Sequence, residues 1–373
     1  MHRRLVVLST VSLTAAALGA CADPGSPPAL DAAADVPLRL VTVTVEARRL
    51  PMADVPVFTS TADGRFIAEG VTDAQGKVTL MGGATATALA LDTRTAPIGD
   101  DGAVRLELTK IDPPVPPSTW AIEIATPPPP NLGLLLATPC YRGEIVVPSV
   151  ESTTISGLGC GRTDTLGLIA AGTLGNTYLA RATSVAGAPA RFDTWHGIQP
   201  IAVTTHVHSE LPGGAVQVLT MAELAPDFRY WLREGLPVGL PGVVKVAIDG
   251  GGSYTRRFEA PPPALTVEAT DFLAPLQPPV AYGDAQGLAV RLTDTGRAFD
   301  DCRVMFQAES PSFMLWTIHT GPIADANHVV RVPALPDGRA MRVISGVEVT
   351  CIENQGLADP TRPERTAVGA SRR

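Results

Sequence analysis

The chain has 373 residues and a formal net charge of -8, with 29 Lys and Arg against 37 Asp and Glu. An acidic balance argues against a nucleic-acid partner, which needs a basic face. The length predicts two or three domains. Glycine and proline number 35 each, while aromatics make up only 5%, so many short strands and turns are expected rather than long helices.

Arg3 and Arg4 open the chain and an apolar run, Leu5 to Leu18, follows. That run is shorter than the roughly 20 residues a spanning helix needs. A basic start, a short apolar core and small residues before a break form the pattern of an export signal. The break is Leu18-Gly19-Ala20-Cys21, which resembles the lipobox of bacterial lipoproteins. The resemblance covers the first 21 residues. It implies a signal peptide over 1–20, acylation of Cys21 and attachment to a membrane through that lipid. An ordinary cleaved signal with an incidental cysteine is the alternative. Removing Arg3 and Arg4 would take the charge from -8 to -10. Ala22, rather than Asp, follows the cysteine. By resemblance to sorted lipoproteins of Gram-negative bacteria, this implies the outer membrane. Residues 22–37 are small, acidic and proline-bearing, and read as a flexible tether.

In Leu38-Arg-Leu-Val-Thr-Val-Thr-Val-Glu-Ala47, Val41, Val43 and Val45 point one way and Leu40, Thr42 and Thr44 the other, the period of a half-buried strand. Further strands are expected at 54–58, 66–68 and 77–80. Asp63-Gly64 signals a hairpin. In Thr72-Asp-Ala-Gln-Gly76, Asp73 suits a side-chain-to-backbone turn, and Gly76 suits the positive φ it requires. The "VPV" strand, the "ADG" hairpin and the "TDAQGKV" turn-strand resemble the transthyretin-like, or carboxypeptidase-regulatory-like, β-sandwich. The resemblance covers 38–112 and implies a seven-stranded non-catalytic module. Asp63 and Asp73 are read as turn acids, because no calcium-loop spacing surrounds them.

IDPPVPP (111–117) reads as a stiff spacer. A second β-rich domain is expected over 118–272, with strands near 120–124, 134–136, 144–147, 177–182, 201–207, 215–219, 243–248 and 254–258. One helix is expected to interrupt it: Thr220-Met-Ala-Glu223 fits a capping box and Gly235 a C-terminal stop, with Pro226 keeping the helix short or broken. APLQPP (274–279) marks a second boundary. A third sandwich is expected over 280–354, with a disordered tail from 355 to 373. The fold class is therefore all-β: tandem sandwiches on proline-rich linkers, with at most one short helix. A faint echo, AVQVLTMAELAPD (215–227) against HVVRVPALPD (328–337), is compatible with two related units or with chance.

Cys140, Cys160, Cys302 and Cys351 remain once Cys21 is assigned to lipid. An exported chain meets an oxidising compartment, so two disulfides are expected. Three pairings are open in principle. Cys140–Cys160 and Cys302–Cys351 are favoured because each stays within one expected domain. Among candidate chemistry, His206-x-His208 is the sharpest, since two imidazoles on one strand share a face, as two zinc ligands would. Asp193 and His196 are the nearest further donors in sequence. Surface histidines on an exposed sheet are the plainer reading. Gly157-Leu-Gly-Cys-Gly161 lacks a dinucleotide fingerprint, and no P-loop or hydrolase elbow is present. Trp120 and Trp316 fall in apolar strand patterns and are expected in the core. Trp231, in FRYWLREG, is the best surface aromatic for ligand contact. The expectation is an envelope protein with a structural or binding role, displaying contacts to a protein or glycan partner, without a cofactor. An exported metal-dependent hydrolase using His206 and His208 is the rival.

Overall fold

The computed structural model describes residues 38–47, 50–109, 117–126, 133–138, 152–158, 165–171, 177–183, 188–206, 215–225, 228–232, 235–248, 251–284, 287–292, 297–309, 313–324, 328–338, 341–343 and 345–371. Among the described residues the chain is all-β, with packed sheets and no barrel. Among the described residues the helical content is two 3-10 turns, Ala269–Asp271 and Gln355–Leu357. The apolar residues spaced two apart pack as expected: Val41, Val43 and Val45 are all fully buried in the Arg39–Ala47 strand.

One long sheet holds the molecule together. Among the described residues it has thirteen strands. Its path runs through Phe228–Leu232, Val216–Ala225, Gly242–Ile248, Gly252–Phe258, Glu364–Ala370, Glu348–Glu353, Asp301–Glu309, Phe313–His319, Asp92–Pro97, Thr85–Ala88, Pro56–Ser60 and Phe66–Val71. Arg342–Val343 pairs off this path with Asp301–Glu309. The pairings are antiparallel except where Phe313–His319 meets Asp92–Pro97 in parallel, Leu315 opposite Asp92 and Ile318 opposite Thr95. Strands from all three expected domains thus share one hydrogen-bonded ladder, and proline linkers do not hold three separate bodies apart.

Smaller sheets pack on this one. Arg39–Ala47, Lys77–Gly82 and Ala103–Glu107 close a sandwich over Val57, Ala86 and Ala88. The sheet of Val280–Asp284, Gly287–Arg291 and Val329–Arg331 covers Val304, Phe306, Trp316 and Val349. Ala202–His206 and Ala264–Glu268, paired in parallel, bring Leu265 and Val267 against Val244, Val246 and Tyr254. A five-stranded sheet containing Thr165–Ala171 and Thr177–Thr183 packs Ile169 and Leu179 against Leu224 and Phe228. On that sheet's other side, Leu166 and Leu168 meet Trp120 and Ile122 of Pro117–Ile124. Registers of the long sheet put the cores around Val304, Val244 and Leu224 on one of its faces. The opposite face carries Trp231, Met221, Val243, Arg257 and, farther along, Arg303 and His319.

The first turns form as their residues dictate. Asp73 Oδ1 accepts from the backbone N–H of Gln75 at 2.9 Å and of Lys77 at 2.8 Å. Gly76 has φ +70°, and a Cβ there would stand 2.5 Å from the Val45 carbonyl oxygen. Asp63 accepts from Thr61 and Arg65 in the hairpin between Pro56–Ser60 and Phe66–Val71. Trp316 is fully buried with its Nε1 donating to Thr95 Oγ1 at 2.9 Å, and Trp120 is buried as well.

Two expectations are corrected. The helix at 220–235 is instead the antiparallel pair Val216–Ala225 and Phe228–Leu232. The two capping-box residues make cross-strand bonds: Thr220 Oγ1 donates to the Leu232 carbonyl at 2.9 Å and Glu223 accepts from Arg257 Nε at 2.5 Å. Alternating Val216, Val218 and Thr220 supply β-branched side chains that suit a pleat, and Pro226 bars a helix through that point. The tail expected to be disordered from 355 also folds. Glu364–Ala370 lies between Gly252–Phe258 and Glu348–Glu353, with Ala367 fully buried. The Asn354 side chain ties the preceding turn to the Asp359 and Arg362 carbonyls, each at 2.8 Å. The expected boundary at 274–279 lies along the same strand, Leu276 N–H donating to the Val368 carbonyl at 3.1 Å. The echoed segments take different places. Val216–Ala225 is an interior strand of the long sheet, and Val329–Arg331 belongs to a three-stranded one.

Cys302 and Cys351 sit directly opposite on neighbouring strands, and their sulfurs are bonded. Cys21, Cys140, Cys160, His208, the tether and residues 111–116 of the expected 111–117 spacer lie outside the described residues, while Pro117 opens the strand Pro117–Ile124.

Candidate functional site

His206 ends the Ala202–His206 strand, and the parallel register places Glu268 beside it. The imidazole Nδ1 lies 3.0 Å from Glu268 Oε1, and the two side chains are 60% and 51% exposed. Asp271 is turned away, accepting from the Glu268 backbone N–H at 2.8 Å. His196 Nδ1 meets the Val238 carbonyl oxygen at 2.8 Å, and the Asp193 carbonyl accepts from Thr126 Oγ1 at 2.7 Å, so neither is bonded to His206. Among the described residues no group of three or more His, Cys, Asp or Glu side chains stands ready to hold a metal.

Trp231 projects from the end strand of the long sheet and is 39% exposed. It stands opposite Met221, Met221 opposite Val243, and Val243 opposite Arg257. The next rung brings Arg229 opposite Glu223. Arg257 bridges Glu223 and Glu259, and the bond to Glu223 above all holds its guanidinium in the charged form. The turn at 355–357 folds over this face. Leu357 is buried against Met221 and Val243 despite a φ of +60°, a conformation costing a non-glycine residue about 1–2 kcal/mol. Arg229 Nη2 fixes that turn by donating to the Gly356 carbonyl at 3.2 Å. The result is a single exposed indole among paired charged groups, with its apolar neighbours already buried.

Farther along the same face lies a cluster the sequence reading did not single out. Asp301 opens the Asp301–Glu309 strand, and the hairpin register with Phe313–His319 puts Arg303 opposite His319. His319 Nδ1–H donates to Asp301 Oδ2 at 2.8 Å, and the Gly321 backbone N–H donates to Asp301 Oδ1 at 3.2 Å. Arg303 Nε lies 3.6 Å from Asp301 Oδ2. Burial pushes the Asp301 carboxyl up, but the His319 bond, the His319 charge, the Gly321 N–H and Arg303 outweigh it, and its pKa falls below the usual carboxylate range. The signal was present in two consecutive strands whose hairpin brings residues 301–303 and 319 together, but it depends on register, which spacing alone does not fix.

A second buried carboxylate, Asp92, joins the first sandwich to the long sheet. It is fully buried and accepts from the Thr109 N–H at 2.8 Å, from the Thr109 hydroxyl and from Arg94 Nη2 at 3.0 Å. Burial raises its pKa, but these donors prevail and the net shift is downward. All its bonded partners are structural, so it serves as a latch.

The chain matches no protein-family model, and no curated protein shows significant similarity to it.

Proposed function

We propose that this chain is a lipid-anchored protein of the Gram-negative cell envelope that works by binding and display, held at the outer membrane through Cys21. The observation that carries this reading is Leu18-Gly19-Ala20-Cys21 placed after Arg3, Arg4 and a short apolar run. The Cys302–Cys351 bridge supports it, because structural disulfides persist in oxidising compartments. In this reading residues 38–112 are a transthyretin-like module without catalytic duty. Ligand contact falls to the face carrying Trp231, whose indole suits the C–H face of a sugar or an apolar side chain.

Fractionation of a Cys21→Ser variant tests the anchor. The variant is expected to leave the membrane fraction, and the wild-type N-terminal peptide to carry the mass of an acyl modification. A Cys21→Ser protein that matures normally and stays with membranes would overturn the reading. The rival, an exported metal-dependent hydrolase, has the His206–Glu268 pair in its favour. Metal analysis separates the two, since stoichiometric zinc lost on replacing His206 and His208 together would favour the hydrolase.

A further inference from the structure

The cluster of Asp301, Arg303 and His319 is built more tightly than a surface ion pair. Asp301 is only 5% exposed at its side chain, and it accepts from His319 Nδ1–H on the neighbouring strand and from the Gly321 backbone N–H. The next residue, Cys302, is covalently tied to the strand on the other side, and its N–H donates to the Thr320 hydroxyl oxygen at 3.0 Å. The carboxylate is therefore fixed, and it fixes what it holds. By accepting from Nδ1–H it sets the tautomer of His319 and leaves Nε2 as that ring's outward nitrogen.

His319 is 28% exposed at its side chain and Arg303 41%. They stand opposite one another on adjacent strands, where side chains on one face are about 5 Å apart at Cβ. Among the described residues, Asp301 at 3.6 Å is the acidic partner of Arg303, and that contact engages Nε rather than the outer edge of the guanidinium. One buried carboxylate thus positions two cationic groups side by side on an acidic protein. The guanidinium edge fits the paired oxygens of a carboxylate or phosphate. A protonated imidazole adds a second donor at Nε2. A metal ion is disfavoured at the same place by the adjacent guanidinium charge.

We infer that His319 and Arg303, held by buried Asp301, form a binding site for an oxyanion, a phosphate or carboxylate group. The remaining charged groups one rung along this face are Glu348 and Arg94, and Arg94 is engaged by Asp92. Glu348 opposes anion binding, so the two donors have to act together. The site does not depend on the lipid anchor and stands or falls separately from it.

The test is calorimetric titration of the full chain with inorganic phosphate and, in a second arm, with acetate. Side-chain 15N resonances of histidine are followed in parallel, and His319 is assigned through His319→Gln. Saturable binding of either anion that shifts the His319 resonances is expected. Arg303→Gln replaces an exposed head group and is expected to keep the fold while weakening binding about tenfold or more, the loss of one charge-assisted bond. Saturation by phosphate alone or by acetate alone identifies the group preferred and supports the site. Absence of saturation by both, or equal binding by Arg303→Gln, would overturn it.

Discussion

Two histidine–carboxylate pairs have nearly the same contact distance and opposite surroundings. His206 and Glu268 meet at 3.0 Å on a two-stranded parallel ladder, with both side chains more than half exposed. His319 and Asp301 meet at 2.8 Å, with Asp301 enclosed by the long sheet and bonded to a backbone N–H as well. Water and salt compete with the first pair, so it orders little around it. The second pair has exchanged water for fixed donors, so the carboxylate cannot lose one of them without being left buried and under-bonded. Distance alone does not distinguish a structural or functional pair from an incidental one; burial of the acceptor does.

The largest effects are expected around the buried pair. Replacing Cys302 and Cys351 together by alanine removes the cross-link next to Asp301. The bridge closes a loop of 49 residues in sequence separation, so its loss is expected to cost about 4 kcal/mol by chain entropy, read as a lower denaturation midpoint. Asp301→Asn keeps the shape but removes the charge, with an expected cost of about 2–3 kcal/mol in chemical denaturation. The sign with pH follows from the lowered pKa of Asp301. Its contribution is fully present above the carboxyl's unfolded value and is lost as pH falls through the lower folded value. The wild type should therefore lose stability toward acid more steeply than Asp301→Asn, and parallel acid limbs would count against this assignment. On the weak side, Glu268→Gln is expected to change stability by less than about 0.5 kcal/mol in the same denaturation assay. A cost near that of Asp301→Asn would erase the contrast.

Local structure was legible wherever a residue's own chemistry decided it. The alternation of Val41, Val43 and Val45, the turn at Asp73 and Gly76, and the burial of Trp120 and Trp316 follow from period, φ and apolar area. The pairing of Cys302 with Cys351 was legible too, though only as the favoured one of three. What escaped depends on contacts between distant segments. Nothing near Asp92 announces that Leu315 will be its neighbour, and nothing near Ser253 announces Thr366. The capping-box pattern at Thr220 and Glu223 is equally valid for a helix. Cross-strand partners at Leu232 and Arg257 decided against it. The sequence of Glu364–Ala370 is too polar to signal a buried strand, and its order comes from the two strands that flank it. His319 escaped as well, because its partner Asp301 is eighteen residues away and reached through a hairpin register.

Glu364–Ala370 sets the timetable for the whole body. It is the keystone between Gly252–Phe258 and Glu348–Glu353, and without it the long ladder parts into two pieces with two raw edges. The halves on either side can gather their own cores early, but they become one object only after residues 364–370 have been made. Until then both edges need shielding from neighbouring chains, so the ladder is closed by a strand made after both of its neighbours rather than started from its first.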